Sequence, residues 1–244
     1  MPRPLDIDPA LTVPENFQKG QVILIDKPLE WTSFDVVKKI RYQIKIKKIG
    51  HAGTLDPLAT GLLILCTGKM TKSIESFMAD EKEYTGTFVL GQTTPSYDLE
   101  TEPTAPVDLS HLQESTIHET TAQFTGFVEQ VPPMHSAIKV DGQRVYQMAR
   151  KGKTVELKPR TINISEFEIV KVDLPRVDFR VVCSKGTYIR SLARDFGEAL
   201  GVGAYLGALR RTRIGAQRIE EAYELPAFIE YINTLKEELD TTRD

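Results

Sequence analysis

The chain has 244 residues, of which 31 are Lys or Arg and 34 Asp or Glu, for a formal charge of −3. That length can bury one large core or two small ones, and the composition is that of a soluble globular protein. No apolar run reaches membrane-spanning length, residues 1–6 lack the apolar core of a secretion signal, and Cys66 and Cys183 make neither a disulfide framework nor a metal cluster, so a cytoplasmic protein without membrane attachment is expected. The four histidines (51, 111, 118 and 135) show no zinc-ligand spacing, and no metal is expected.

Residues 1–20 mix prolines with acids and read as an arm, with regular structure beginning afterwards. Residues 22–26 form a short β-branched strand, followed by Lys27-Pro28. Thr32, with Asp35 three residues on, then caps a helix carrying Val37, Ile40 and Ile44 inward. Residues 50–61 are a glycine-rich loop, and 62–66 have the length of a buried strand. Ile74, Phe77 and Met78 mark a short helix, and Tyr84 opens an alternating strand to residue 90. Residues 93–109, acidic and proline-containing, read as a long loop before a helix around Ile117, Thr121 and Phe124. A strand at 136–140, an Asp141-Gly142 turn and a helix bearing Val145, Tyr146 and Met148 come next. Strands at 162–172 and 177–183 are bounded by Pro159 and Pro175. Thr187 is placed to cap a helix that ends at Gly201 and holds Arg190 in its first turn. A strand at 206–213 and an amphipathic helix at 226–239 complete the chain.

Charge is segregated along this order. Lys38, Lys39, Arg41, Lys45, Lys47 and Lys48 come without an intervening acid. Arg144, Arg150, Lys151, Lys153, Lys158 and Arg160 form a second basic group, and Arg210, Arg211 and Arg213 a third. Acid dominates between residues 98 and 119 and from 220 to 244. Three local clusters on a globally acidic chain fit contact with RNA or DNA, although any single cluster is equally a solvated face.

The loop Gly50-His51-Ala52-Gly53-Thr54-Leu55-Asp56-Pro57-Leu58-Ala59-Thr60-Gly61 frames one carboxylate. Its glycines reach backbone conformations closed to other residues, and Pro57 biases Asp56 away from the helical region. Most Asp-Pro pairs only shape a turn, so the pattern by itself leaves Asp56 as either a ligand-facing group or a turn residue. A cation at 190, in the first turn of a helix, opposes the helix dipole and hints at an anionic partner.

This loop closely resembles the catalytic motif of the TruB-type tRNA pseudouridine synthases. The resemblance extends through Lys27-Pro28, Lys82 to Tyr84, Pro132-Pro133-Met134-His135-Ser136-Ala137, the segment from Cys183 to Arg190, and Leu209-Arg210-Arg211, together covering residues 20–215. It implies an α+β fold, a mixed, largely antiparallel sheet flanked by helices, and isomerisation of the T-loop uridine at position 55 of tRNA, without metal or organic cofactor. Asp56 takes the catalytic position, acting as nucleophile toward the sugar or the base or removing a ribose proton. Tyr84 matches the stacking tyrosine and Arg190 the arginine paired with the carboxylate. Tyr188 and Leu209 match positions lining the uracil pocket, His51 one beside the space the base vacates, and Lys27 the pocket floor. Extrusion of the nucleotide from the T-loop follows from the chemistry. The T-arm backbone would be held by Lys38, Lys39, Lys45, Lys47, Lys48, Arg144, Arg210 and Arg211, with no obligate protein partner.

Two departures stand out. Where the family usually has glycine after Lys-Pro, this chain has Leu29-Glu30-Trp31, so a left-handed backbone there would be strained. Beyond residue 215 only an acidic helix follows in place of the RNA-binding PUA domain of many relatives. The expected organisation is an arm at 1–20, a catalytic domain at 21–218 and an acidic helical segment at 219–244. The rival reading is an RNA-binding module of the same fold without turnover. A phosphotransferase suggested by Gly68-Lys69 fails on glycine spacing.

Overall fold

A computed structural model describes residues 1–134, 139–140, 143–144 and 157–241. Its helices are α1 (Val13–Lys19), α2 (Ser33–Ile44), α3 (Ile74–Ala79), α4 (Glu114–Thr120), α5 (Ile189–Ala199) and α6 (Leu225–Thr241). Its strands are β1 (Val22–Lys27), β2 (Ile49–His51), β3 (Ala59–Thr67), β4 (Lys82–Leu90), β5 (Gly126–Gln130), β6 (Lys139–Val140), β7 (Gln143–Arg144), β8 (Arg160–Asp173), β9 (Arg176–Cys183), β10 (Ala204–Ile214), β11 (Gln217–Arg218) and β12 (Tyr223–Glu224). No helix among the described residues is long and apolar enough to cross a membrane. The chain clusters into two units, Met1–Glu83 with Arg210–Asp244, and Tyr84–Leu209.

In the first unit β1 lies between β12, its parallel partner, and β3, which runs antiparallel and on its other side meets β10. Strand β3 is buried along almost its whole length, which is why its sequence is a continuous apolar run rather than an alternating one. Helices α1, α2 and α6 cover β1 and β3 through Phe17, Val36, Ile40, Ile44, Phe228 and Ile232, all fully buried. Helix α2 begins as expected: the Thr32 hydroxyl accepts from Asp35 N, and the Asp35 carboxylate accepts from Thr32 N.

The expectation that regular structure begins only after residue 20 is corrected. Thr12 and Glu15 form a second capping box, and the α1 that it starts buries Val13 and Phe17. Its acids and proline serve as helix-start chemistry.

In the second unit the strand order is β10, β4, β9, β8, β5, with β5–β8 and β8–β9 antiparallel. The sequence pattern predicts no strand where β5 lies. Five phenylalanines organise the core: Phe88 stacks on Phe179 at 4.0 Å, and Phe124, Phe167 and Phe196 meet edge-on around them. The segment between β4 and α4 has no helix or strand, as expected. Hydrogen bonds from Thr104 N to Thr93 O and from Val107 N to Gly91 O fasten it to itself and to the end of β4.

Helix α5 corrects another expectation. Tyr188, not Thr187, occupies the cap position, and the Thr187 hydroxyl donates to Ser184 O instead. The proposed 136–140 strand is represented by Lys139–Val140, paired antiparallel with Gln143–Arg144. The turn at 141–142, the helix at 145–149, and His135, Arg150, Lys151 and Lys153 lie outside the described residues.

Candidate active site

The first unit builds the Asp56 loop from β2 and β3. Antiparallel pairing sets Ile49 against Thr67 and His51 against Leu65, and Ala52 N continues the ladder to Ile64 O. The chain then turns, with Ala59 N donating to Asp56 O at 3.0 Å, and enters β3. The turn is braced from α2: the Ser33 hydroxyl accepts from Leu55 N (2.9 Å) and donates to Leu55 O (3.2 Å). Glu30 N donates to Pro57 O at 2.9 Å. Leu55 and Ala59 are buried on either side of the half-buried Asp56, so the carboxylate projects from a turn with little freedom to shift.

Glu30 has φ +66°, the left-handed conformation that its non-glycine identity makes costly. The strain foreseen at the Leu29-Glu30-Trp31 departure is therefore present, and the bond from Glu30 N to Pro57 O is made in that conformation.

Two buried cations flank the loop. Lys27 is fully buried, and its ammonium donates to Pro28 O (2.9 Å), Trp31 O (2.5 Å) and Pro57 O (3.4 Å). Burial lowers its pKa to about 8; the Asp56 and Asp26 carboxylates oppose the shift, and the Arg211 guanidinium adds to it. Arg211 is 1% exposed, its Nε donating to Leu62 O (2.8 Å) and a terminal nitrogen to Gly53 O (3.1 Å). The expectation that Arg211 contacts the RNA backbone is thereby corrected. Neighbours on a strand face opposite ways, so when Arg210 turns outward Arg211 turns inward. Half-buried Arg210 itself is held by the Asp26 carboxylate through two bonds of 3.0 and 2.5 Å. His51 has its pKa lowered by burial and by the Arg211 guanidinium, against a hydrogen bond with the Gly53 backbone that raises it.

The second unit holds the other residues. Tyr84, Gly86 and Phe88 share one face of β4, which sets Tyr84 at the margin of the phenylalanine core, where Leu209 of β10 also packs. A Cβ at Gly86 would lie 2.4 Å from Ala208 O. Tyr188 is fixed by its backbone: its N–H donates to Gln130 Oε1 (2.8 Å), and Gln130 Nε2 donates to its carbonyl (3.1 Å). The Ser191 hydroxyl donates to Val131 O at 2.8 Å, so the chain leaving β5 holds the start of α5.

Arg190 is 5% exposed, with Nε 3.6 Å from Asp98 Oδ2 and a terminal nitrogen 3.5 Å from Ser96 O. A buried cation in the first turn of a helix opposes the dipole, and Asp98 supplies compensating charge. Asp98 is set in a tight turn in which its carbonyl accepts from the Thr94 and Ser96 hydroxyls and its Oδ1 from Glu100 N. The preceding Tyr97, at φ +63°, places its ring against the Arg194 guanidinium of α5, 4.9 Å from the ring centre. Sequence reading missed Asp98 and Gln130. Asp98 sits in an acidic stretch where its neighbours are solvated, and only its burial sets it apart.

Among the expected backbone contacts, Lys38, Lys39, Lys45, Lys47 and Lys48 are exposed along α2 and its exit. Arg144 lies in the β6–β7 hairpin, and its side chain is outside the described residues.

This arrangement has known relatives. Residues 41–189 match the family model of the TruB family pseudouridylate synthase (N terminal domain), and residues 190–243 that of the tRNA pseudouridylate synthase B C-terminal domain. A tRNA pseudouridine synthase B from Flavobacterium johnsoniae is 54% identical over 224 residues, covering 89% of this chain and 98% of the relative. Another, from Bacteroides thetaiotaomicron, is 51% identical over 94% of this chain and 99% of its own length. A crystal structure of a Cbf5-Nop10-Gar1 complex superposes with a TM-score of 0.71 at 28% identity, over 98% of this chain and 65% of that one. Fold and sequence together define a pseudouridine synthase. The chain belongs to the TruB family of pseudouridylate synthases.

Proposed function

We propose that this protein converts the T-loop uridine at position 55 of tRNA into pseudouridine, with Asp56 as the reacting carboxylate. The observation that carries the reading is the seating of Asp56: a braced turn flanked by the buried cations Lys27 and Arg211, with the Lys27 ammonium in electrostatic contact with the carboxylate. Family membership supplies the reaction class.

In the reaction the bond from uracil N1 to ribose C1′ breaks, the base turns, C5 bonds to C1′, and the C5 proton is lost as N1 gains one. No redox change or hydrolysis occurs. An ionised carboxylate serves as nucleophile or as base in this sequence. Tyr84 is assigned to stacking on the extruded base, Tyr188 and Leu209 to the walls of the uracil pocket, His51 to the space the base leaves, and Arg190 to acting with Asp56 in turnover. Catalysis is placed in residues 21–218, and Lys38 to Lys48 hold T-arm phosphates.

The test is incubation with unmodified tRNA and with an isolated T-arm hairpin, followed by chemical mapping of pseudouridine with primer extension. Conversion at position 55 in both substrates is expected. Tight binding without conversion would replace this reading by an RNA-binding module; conversion of tRNA but not the hairpin would overturn the T-arm assignment.

A further inference from the structure

A groove of about 630 Å³ runs along α2. Trp31 and Tyr42 supply its aromatic surface, and Lys38, Lys39 and Arg41 its cations. The spacing explains the grouping: positions 35, 38 and 42 fall on one face of α2, with 39 and 41 at its borders, and Trp31 immediately precedes the Thr32 cap. Trp31 is half-buried against the apolar core of the first unit and is thereby fixed, while Tyr42 is 83% exposed. An aromatic ring this open on a charged helix has no packing role in the unit.

Three observations bear on the occupant. Lys38, Lys39 and Arg41 have no carboxylate within ion-pair distance among the described residues, on a chain whose net charge is −3. The Asp35 carboxylate in the groove is engaged in the α2 capping box. Glu30, at the groove's end, donates its N–H to Pro57 O, so the groove abuts the loop that presents Asp56. Cations interleaved with an open aromatic ring are the arrangement that holds single-stranded nucleic acid.

We propose that this groove binds an unpaired nucleotide of the RNA substrate, its base stacked on Tyr42 and its phosphate held by Lys38, Lys39 and Arg41. The inference rests on the reading that the substrate is RNA, and it adds a second nucleotide site beside the Asp56 loop.

The test uses the whole protein and an unmodified tRNA transcript, with Kd by filter binding and single-turnover rates across tRNA concentrations. Loss of a stacked base predicts that Tyr42→Ala raises Kd about tenfold, exceeding any loss in the rate at saturation, while Tyr42→Phe, which keeps the ring, stays within about twofold of wild type. Lys38→Ala combined with Lys39→Ala lowers the slope of log Kd against log salt by about 1, the share of one phosphate contact. A Tyr42→Ala Kd within about twofold of wild type overturns the proposal, as does an equal loss in Tyr42→Phe, which would assign the effect to the hydroxyl. A concentration-dependent dimer abolished by Tyr42→Ala with tRNA affinity intact would overturn it in favour of a second copy of the chain. Wild-type conversion is the control that separates the readings: if wild type makes no pseudouridine the function assignment fails, whereas if it does and Tyr42→Ala binds normally only the groove fails.

Discussion

Gly61 ties the Asp56 loop to β10, and Gly61→Ala measures how much that close approach matters. A Cβ there would lie 2.3 Å from Arg211 O, 2.7 Å from its N and 3.0 Å from its carbonyl carbon, at φ +104°. All three atoms are backbone, so no side-chain rotation relieves the contact. Ordinary contact begins at 3.4 Å, so β3 and β10 must part by roughly 1 Å. Backbone conformation alone costs about 1–2 kcal/mol and overpacking about 1–3 kcal/mol more, giving about 2–5 kcal/mol. Gly126 separates the two terms: its φ is +91°, but a Cβ there meets nothing within 4 Å, so Gly126→Ala should cost only about 1–2 kcal/mol. Urea denaturation of both variants gives the comparison. Because Arg211 carries bonds to Leu62 O and Gly53 O, Gly61→Ala should also lower the single-turnover rate in conditions where it remains folded. Equal destabilisation by the two substitutions, or a full rate in Gly61→Ala, would refute the reasoning.

Three further outcomes follow from the site. Glu30→Gly relieves a left-handed residue and should raise stability by about 0.5–1 kcal/mol, read as a higher Tm; a lower Tm would show that the side chain compensates for the strain. Lys27 has a folded pKa of about 8 against an ordinary 10.5, so between those values the unfolded chain binds more protons and this group adds to stability as pH rises, the burden of the buried ammonium being complete below 8. In the folded chain the charged bridge to Pro28, Trp31 and Pro57 is lost around pH 8, so the single-turnover rate should fall with a midpoint near pH 8 in wild type and not in Lys27→Met; identical profiles would remove Lys27 from the account. Arg190→Lys should reduce the rate at least about tenfold, since a point ammonium does not replace the planar fork that meets Asp98 and Ser96, and an unchanged rate would show that the fork is dispensable.

What was legible in the sequence had local causes. Thr32 with Asp35 announced α2, the unbroken apolar run announced the buried β3, and the missing glycine at Glu30 announced strain in the backbone. Misreadings arose where burial decided the role. Arg210 and Arg211 are chemically alike and adjacent, and only the period of a strand sends one outward to Asp26 and the other beneath the Asp56 loop. Asp98 is one acid in an acidic stretch, distinguished by a turn that bonds through Thr94 and Ser96 and brings it to Arg190. The Thr12–Glu15 capping box is a local pattern too, set among prolines and acids that read as an arm.

The central claim is that the Asp56 carboxylate performs the chemistry while an extended surface binds the RNA. Single-turnover pseudouridine formation on unmodified tRNA, with Kd measured beside it, should show Asp56→Asn slower by more than about a thousandfold with affinity within a few-fold of wild type, because one neutralised carboxylate alters the reacting centre and not the phosphate contacts. Pseudouridine formed by Asp56→Asn at near the wild-type rate would contradict the account.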